Sequence, residues 1–489
     1  MSFETKPDPA SLKIVGGTIV AFDGTSHRIL ADGEIVVEGD TIASVGKRTD
    51  RPAERTIDLG NRLAIPGFVS THAHVGAHEA TRSLLDAGRR DFMRTGFLNF
   101  MPRKGPDAPN FYHKADREAS LRYGLGQLLR NGVTTVVGFD PNADSLLPDL
   151  AVDYGIRLYF APTANPGKYW FDKEGRLSRT LDEDLALAQL EQNARFISDH
   201  DGRGNGRFRG IVVVDEFFNA TPELLKRAKK MAAELGVGIT MHFCEQLFEF
   251  YSTVRETGRT PVQLLADLGV LGPELILGHC MYVAGNPMTN YPYVDDLAIL
   301  AESGTAVAHS PFAFARRGVI MRSLPKYIEA GITVGMGTDT FPQDMLEEMR
   351  TASMAAKIAE LNHETVPAAT VFDAATLGSA KALRRSDLGR IAPGAKADIV
   401  IVDLDNIWTA PYVDPIRALV VSAHPSMIDT VIVDGIVRVD DGRLLEHDEA
   451  ALIKGAEHSM DQVASGYPEW HWAGRTMADE FPQSYTAWV

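Results

Sequence analysis

Hydrophobic and polar positions change rhythm twice along the chain. From about residue 12 to 64, short β-rich runs bounded by Gly or Asp (Leu12–Val15, Gly33–Val37 and Thr41–Val45) predict strands joined by turns. The same texture returns near the far end, in Ala397–Val402 and Thr430–Gly435. Between these blocks, strand-like apolar runs alternate with helical segments, the pattern of βα units and a parallel sheet. The candidate strands are Phe68–His72, Val133–Phe139, Ile156–Ala161, Gly210–Asp215, Gly238–Phe243, Leu275–His279, Thr305–His309 and Thr333–Asp339. One intervening helix shows its limits: Thr221 as N-cap, Pro222 at the first helical position, Leu224, Leu225, Ala228 and Met231 at helical spacing, and Gly236 as the stop. Eight such units over about 325 residues predict an α/β fold, a (β/α)8 TIM barrel with its active site at the C-terminal ends of the strands. A doubly wound open sheet is the alternative, but no glycine-rich phosphate loop joins a strand to a helix.

A chain of 489 residues exceeds one ordinary core, so more than one domain is expected. The two β-rich blocks predict one small β-sandwich domain built from both chain ends, residues 1–64 and 391–445, around a barrel over 65–390. Two unrelated β-caps are the alternative. Residues 446–489 hold three of the five tryptophans, Trp470, Trp472 and Trp488, and read as a tail docked on its own barrel or on a neighbouring subunit. A long excursion after the first barrel strand, roughly 75–114, carries Phe92, Phe97, Phe100 and Tyr112 with Arg89, Arg90 and Arg94, and has the length of a lid or binding loop.

Composition narrows the class. Hydrophobic residues at 45% and charged residues at 23% match a soluble globular protein, and no apolar run reaches the length of a membrane helix. Met1–Lys6 leads into no apolar core, so no secretory signal is expected. Two cysteines, Cys244 and Cys280, argue against a disulfide framework and fit a reducing cytosol. A formal charge of −16 disfavours nucleic-acid backbones and anionic membranes as partners. The expected partner is a small-molecule substrate, and the expected location is cytoplasmic.

Candidate chemistry gathers at the strand ends. His72 and His74 flank one residue at the end of an apolar run, so in a strand both imidazoles point the same way. Such a pair suits a divalent ion such as zinc; equally, one histidine packs in the core and the other is solvated. The other strands decide. His242 and Glu245 end or follow strand five, His279 ends strand six, His309 ends strand seven and Asp339 ends strand eight. Random placement of 14 histidines would rarely put five at these positions, so their convergence is the strong signal. Cys244 and Cys280 flank site histidines and are best read as small buried hydrophobes.

The pattern resembles the amidohydrolase superfamily, particularly its cytosine deaminase and triazine hydrolase (chlorohydrolase) branch. The resemblance covers nearly the whole chain: Pro66-Gly67-Phe68 before the His-x-His, Gly132-Val133-Thr134-Thr135-Val136, His242-x-x-Glu245, Gly337-Thr338-Asp339, and Leu388–Asp398 as the return into the β-domain. It implies that His72, His74, His242 and Asp339 hold one divalent metal, Zn2+ before Fe2+, Co2+ or Mn2+. It also implies that Glu245 shuttles a proton, that His279 sits beside the reacting centre, and that Asp339 takes a proton from the attacking water. Two-metal members bridge their ions with a modified lysine, typically from strand four; Gly210–Glu216 has none, which favours a single ion. Asp215 and Glu216 are open between substrate contacts and a solvated loop start.

Two departures bear on the substrate. After His309 the chain reads Ser310-Pro311-Phe312-Ala313-Phe314-Ala315-Arg316-Arg317, and after Asp339 it reads Thr340-Phe341-Pro342-Gln343-Asp344, neither being the branch's usual Asn-containing version. His309, Phe312, Phe314, Phe341, Phe92 and His78 are the candidate substrate-binding residues. They tilt the expectation toward a hydrophobic or aromatic amide, urea or carbamate, whose C–N bond an activated water would cleave. Deamination or dehalogenation of an amino-substituted heteroaromatic ring is the alternative. A catalytically inactive barrel serving as a binding module is the alternative of another class. A barrel with this resemblance is expected to form a homo-oligomer.

Overall fold

The computed structural model describes residues 10–76, 79–83, 103–109 and 112–488; His78, Phe92 and most of the 75–114 excursion lie outside the described residues. Eight parallel strands form one sheet in chain order: β1 (Phe68–Ala73), β2 (Val133–Gly138), β3 (Arg157–Phe160), β4 (Phe208–Glu216), β5 (Gly238–Phe243), β6 (Leu275–His279), β7 (Ala306–His309) and β8 (Val334–Met336). A single bridge between Ala73 and Asp339 brings the last strand's end to the first, so the sheet is a nearly closed barrel. Near-continuous Val/Ile/Leu runs suit strands buried on both faces, and every residue of β1, β2, β3 and β6 is buried.

Strand existence follows the hydrophobic runs; strand length does not always. The eighth stretch was expected to run to Asp339, yet β8 stops at Met336. Beyond it, the Thr338 and Asp339 N–H groups both turn to the His72 carbonyl, and Asp339 takes a φ of +51°. The helix placed from Thr221 to Gly236 is α2 (Pro222–Leu235), with the Thr221 side chain accepting from the Leu224 N–H and Gly236 closing it at a φ of +68°. Met231 is only half-buried on that helix, while Ala232 takes the fully buried position.

The two chain ends meet in one sheet. Leu63–Pro66 pairs antiparallel with Ile399–Val402, and the sheet continues through Thr18–Phe22 and His27–Ala31 on one side and Ile428–Val433, Ile436–Asp440 and Arg443–Leu444 on the other. A four-stranded sheet from Ala10–Val15, Gly33–Glu38, Thr41–Lys47 and Ala53–Asp58 faces it. Leu12, Ile14, Ile35 and Ile42 pack with Ile19, Ile399, Ile401 and Ile432 between the two layers. The tail folds back as α6 (Glu449–Trp470) and α7 (Met477–Glu480), and α6 lies along α1 (Arg117–Arg130) of the same chain. Val463, Tyr467, Trp470 and Met477 form its core, whereas Trp488 is exposed. No helix among the described residues is long and apolar enough to cross a membrane.

A buried ion pair ties barrel to sandwich. Arg157 on β3 reaches Asp434 at 2.6 Å and Asp398 at 3.5 Å, all three almost fully buried. Arg157→Met would leave the buried Asp398 without its cation and Asp434 with only Arg207, 3.7 Å away. Breaking such a pair costs about 3–5 kcal/mol, so urea unfolding should shift to a clearly lower midpoint; a midpoint equal to wild type would show that the ion triad contributes nothing net.

Candidate active site

The site is built where the first and last strands meet. The Thr338 and Asp339 N–H groups donate to the His72 carbonyl at 3.0 Å each, and the His74 N–H donates to the Asp339 carbonyl at 2.7 Å. These bonds fix two histidines and an aspartate to one another before any side chain is considered. The approach is close enough to require glycine at 337: a Cβ there would lie 2.6 Å from Ser310 Oγ and 2.8 Å from His72 Cβ. Behind the turn, Ser70 Oγ accepts from the Thr338 N–H at 3.1 Å, and the fully buried Gln343 donates to the His74 carbonyl at 3.2 Å.

The side chains converge. His74 Nε2 and His242 Nε2 are 3.0 Å apart, and His72 and His74 place their Nε2 atoms 3.6 and 3.5 Å from Asp339 Oδ1. His72, His74 and His242 each bring a ring nitrogen within 4.8 Å of the others; so do His72 and His279, with a carboxylate oxygen of Asp339. His242 Nδ1 lies 2.5 Å from the Asp215 carbonyl, so it carries the proton and donates there, leaving the Nε2 lone pair aimed into the cluster. Burial drives His74 down to about 4 against the opposing charge of Asp339. Burial, then the neighbouring histidines, takes His242 well below the usual range. Burial alone would raise Asp339, but the adjacent His72, its Nε2 3.6 Å away, together with His279 and His74, holds it well below the usual carboxylate range.

These residues fit a divalent ion. Neither ring nitrogen of the fully buried His72 has a hydrogen-bond partner, a costly state for a polar side chain unless something binds there. Neutral imidazole lone pairs converging with an ionised carboxylate form a nitrogen-and-oxygen donor set suited to zinc and similar metals. No cysteine joins these groups among the described residues. Cys244 and Cys280 are both buried with thiols raised well above their ordinary value by burial.

Glu245 lies beside this cluster rather than in it. Its Oε2 is 3.6 Å from His279 Nε2, and its Oε1 accepts from Gln246 at 2.7 Å. Burial raises it to about 7, opposed by the Gln246 hydrogen bond and assisted by the charge of Asp339. Behind it, Glu249 in the first turn of α3 (Leu247–Thr257) accepts from the Cys244 N–H at 2.9 Å and so fixes the turn that carries Glu245. Glu216, Glu245 and Glu249 bring carboxylate oxygens within 4.8 Å of one another. Burial, then Glu245, pushes both Glu216 and Glu249 upward. Glu216 is therefore an interior group at the end of β4, not a solvated loop start.

The other candidates take varied places. His309 is buried and taken down to about 4, within electrostatic reach of His279. Phe314, in α4 (Pro311–Ala315), packs edge-on against His279 with ring centres 4.7 Å apart. Phe312 is half-buried and donates its N–H at 2.9 Å to Glu348 of α5 (Met345–Glu360). Phe341 lies under the guanidinium groups of Arg82 and Arg316, at 4.4 and 4.9 Å. Phe139, to which the sequence assigned no role, packs at once on His72, His74 and His242, with ring centres 4.5, 5.7 and 4.6 Å away. The only sequence signal for it is an aromatic residue at the end of the second strand run.

Known proteins of similar sequence and fold bear on this geometry. A 5-methylthioadenosine/S-adenosylhomocysteine deaminase of Natronomonas pharaonis is 29% identical over 93% of this chain and 99% of its own. A 5'-deoxyadenosine deaminase of Methanosarcina barkeri is 25% identical over 89% and 94%. Among solved structures, atrazine chlorohydrolase from Arthrobacter aurescens TC1, complexed with zinc, superposes with a TM-score of 0.74 at 25% identity, covering 92% of this chain and 100% of that one. An adenosine deaminase from Xanthomonas campestris with bound zinc shares the fold at a TM-score of 0.79 and 22% identity, over 94% and 100%. The amidohydrolase family model matches residues 63–437, spanning the barrel and its links to the sandwich, and the chain belongs to that family.

Proposed function

We propose that this protein is a metal-dependent hydrolase that cleaves a C–N bond of a small molecule. The observation that carries the reading is the cluster of His72, His74, His242 and Asp339 with Glu245 and His279 against it. In this reading the first four residues hold one divalent ion, zinc before other metals. Bound there, the ion supplies a Lewis acid that lowers the pKa of water toward neutrality. Asp339 accepts the proton of the attacking water at a carboxylate oxygen. Glu245, raised to about 7, holds a proton near neutral pH and delivers it to the substrate nitrogen that leaves. His279 steadies negative charge developing on the oxygen or nitrogen bonded to the carbon under attack, and Phe314 holds its ring in place.

The leaving group is either ammonia from an amino-substituted heteroaromatic ring or the amine of an amide, urea or carbamate. The deaminase names of the curated relatives favour the first. Pairing of Leu63–Pro66 with Ile399–Val402 supports reading 1–64 and 391–445 as one sandwich domain around a 65–390 barrel, with 446–489 as the tail. A cytoplasmic homo-oligomer completes the proposal, in keeping with the two free thiols and the exposed Ile407, Trp408 and Val413.

The test is metal content by inductively coupled plasma mass spectrometry, followed by turnover assays. Near one equivalent per chain is expected, with ammonia released from 5'-deoxyadenosine or 5-methylthioadenosine, or amine from aromatic amides, ureas and carbamates. Two equivalents would overturn the single-ion site. No bound metal after reconstitution would return the chain to the binding-module reading.

A further inference from the structure

One residue at the end of β4 is out of step with its neighbours, and the reaction as proposed gives its side chain no part. Val214 pairs with Met241 of β5 and Glu216 pairs with His242, so the register slips between them and Asp215 is the extra residue of a bulge. An extra residue of this kind drops out of the ladder, which frees its carbonyl to aim elsewhere. Here it aims at a candidate metal ligand: His242 Nδ1 lies 2.5 Å from the Asp215 carbonyl oxygen.

The loop after β3 holds Asp215 from the other side. The Asp215 N–H donates to the Ala164 carbonyl at 3.1 Å, and the Ala164 N–H donates to the Val213 carbonyl at 3.0 Å. The next residue, Asn165, donates from Nδ2 to Asp215 Oδ2. Which end of that amide faces Asp215 is settled, because Asn165 Oδ1 accepts from the Gly167 N–H at 2.8 Å and an amide oxygen has no proton to give. The Asn165 N–H donates in turn at 2.9 Å to Gln189 Oε1, on the helix Glu183–His200. The bulge is thus gripped by both its main chain and its side chain.

The grip matters because the His242 proton has two places to go. On Nδ1 it meets the Asp215 carbonyl; on Nε2 it would meet His74 Nε2, 3.0 Å away. Only the first leaves the Nε2 lone pair open toward the cluster. A carbonyl turned away from Nδ1 shifts the balance to the second form, in which Nε2 carries the proton and has no lone pair for an ion.

We propose, building on the hydrolase reading, that Asn165 and Asp215 are positioning residues: their side-chain hydrogen bond locks the bulge whose carbonyl sets the His242 tautomer, and so keeps Nε2 available to the ion. Asp215 then acts through its main chain on a metal ligand, and its carboxylate serves to hold that main chain still.

Two variants separate this lock from general stability. Asn165→Ser keeps an oxygen for the Gly167 N–H, removes the donor to Asp215 and adds no charge. Exchanging the pair, Asn165→Asp with Asp215→Asn, rebuilds the bond with donor and acceptor reversed at the same net charge. One readout is zinc affinity by chelator competition. The other is the ring tautomer in metal-free protein, from long-range proton–nitrogen correlation NMR on labelled histidine, with the His242 signal identified by its loss in His242→Gln. Wild type should show His242 protonated on Nδ1. Asn165→Ser should populate the Nε2 form and bind zinc about 10–100-fold more weakly, the usual effect of removing a partner behind a metal ligand. The exchange should recover most of both, and the metal-free proteins should share one circular dichroism spectrum. An unchanged tautomer in Asn165→Ser, unchanged zinc affinity there, or an exchange no better than Asn165→Ser would each overturn the inference. Failure of the hydrolase reading shows separately, as absent turnover while the tautomer and zinc affinity still follow the pair.

Discussion

Glu245→Gln should keep its metal and lose turnover by about 10²–10⁴-fold, the range general acid–base catalysis supplies. Glutamine preserves the volume and an oxygen acceptor, so the side chain still reaches toward His279 and Gln246, 3.6 and 2.7 Å away in the wild-type site. The turn beneath it stays fixed, because Glu249 holds the Cys244 N–H independently of residue 245. What glutamine cannot do is release a proton. The loss should therefore fall on kcat rather than KM. Its pH dependence carries a sign: Glu245 stands at about 7, and as the donor to the leaving nitrogen it must begin protonated. Wild-type kcat should then decline as pH rises through that value, and the residual activity of the variant should lack this limb. Metal analysis and pH-rate profiles on one substrate check both points. Undiminished turnover would remove Glu245 from the chemistry, and loss of the metal would show that it supports the ligand cluster instead.

What the chain discloses in advance divides along physical lines. Barrel strands are legible because both faces are buried, so their apolar runs need no knowledge of their neighbours. The histidines at the strand ends are legible because few other reasons place that residue type there repeatedly. The end of β8 was not legible: its shortening depends on Thr338 and Asp339 turning their N–H groups onto the His72 carbonyl, a contact across more than 260 positions. Phe139 looks like any core aromatic until three imidazoles are seen to pack on it. Glu249 reads as an ordinary acid in a helix's first turn, yet it is buried and its carboxylate organises the turn before the helix. Phe341 reads as an open aromatic face for substrate, and only the fold brings Arg82 and Arg316 over it. Residue type and local spacing thus announce the chemistry, while the positions that hold that chemistry in place depend on partners distant in sequence.

Asp339→Asn should weaken metal binding by more than about 100-fold, beyond the effect of losing a group that merely orients a ligand. The substitution is chosen to spare the fold. Asparagine matches aspartate in volume and tolerates the left-handed backbone at this position, where φ is +51°. The backbone bonds from residues 338 and 339 to His72, and from His74 to residue 339, need no carboxylate. What is lost is the one anionic donor in the cluster, where burial favours the neutral forms of His74 and His242. With three imidazoles alone, the ion's charge goes uncompensated in a buried site. A second measurement separates this from misfolding. A ligand that binds only the folded state stabilises it by about 4 kcal/mol at a thousand times its Kd. A chelator should accordingly lower the thermal midpoint of wild type and leave that of Asp339→Asn unchanged, while both metal-free proteins give the same circular dichroism. Full metal occupancy in the variant would place the ion elsewhere. A chelator shift equal to wild type would have the same meaning, because the stabilising ion would then be one that Asp339 does not touch.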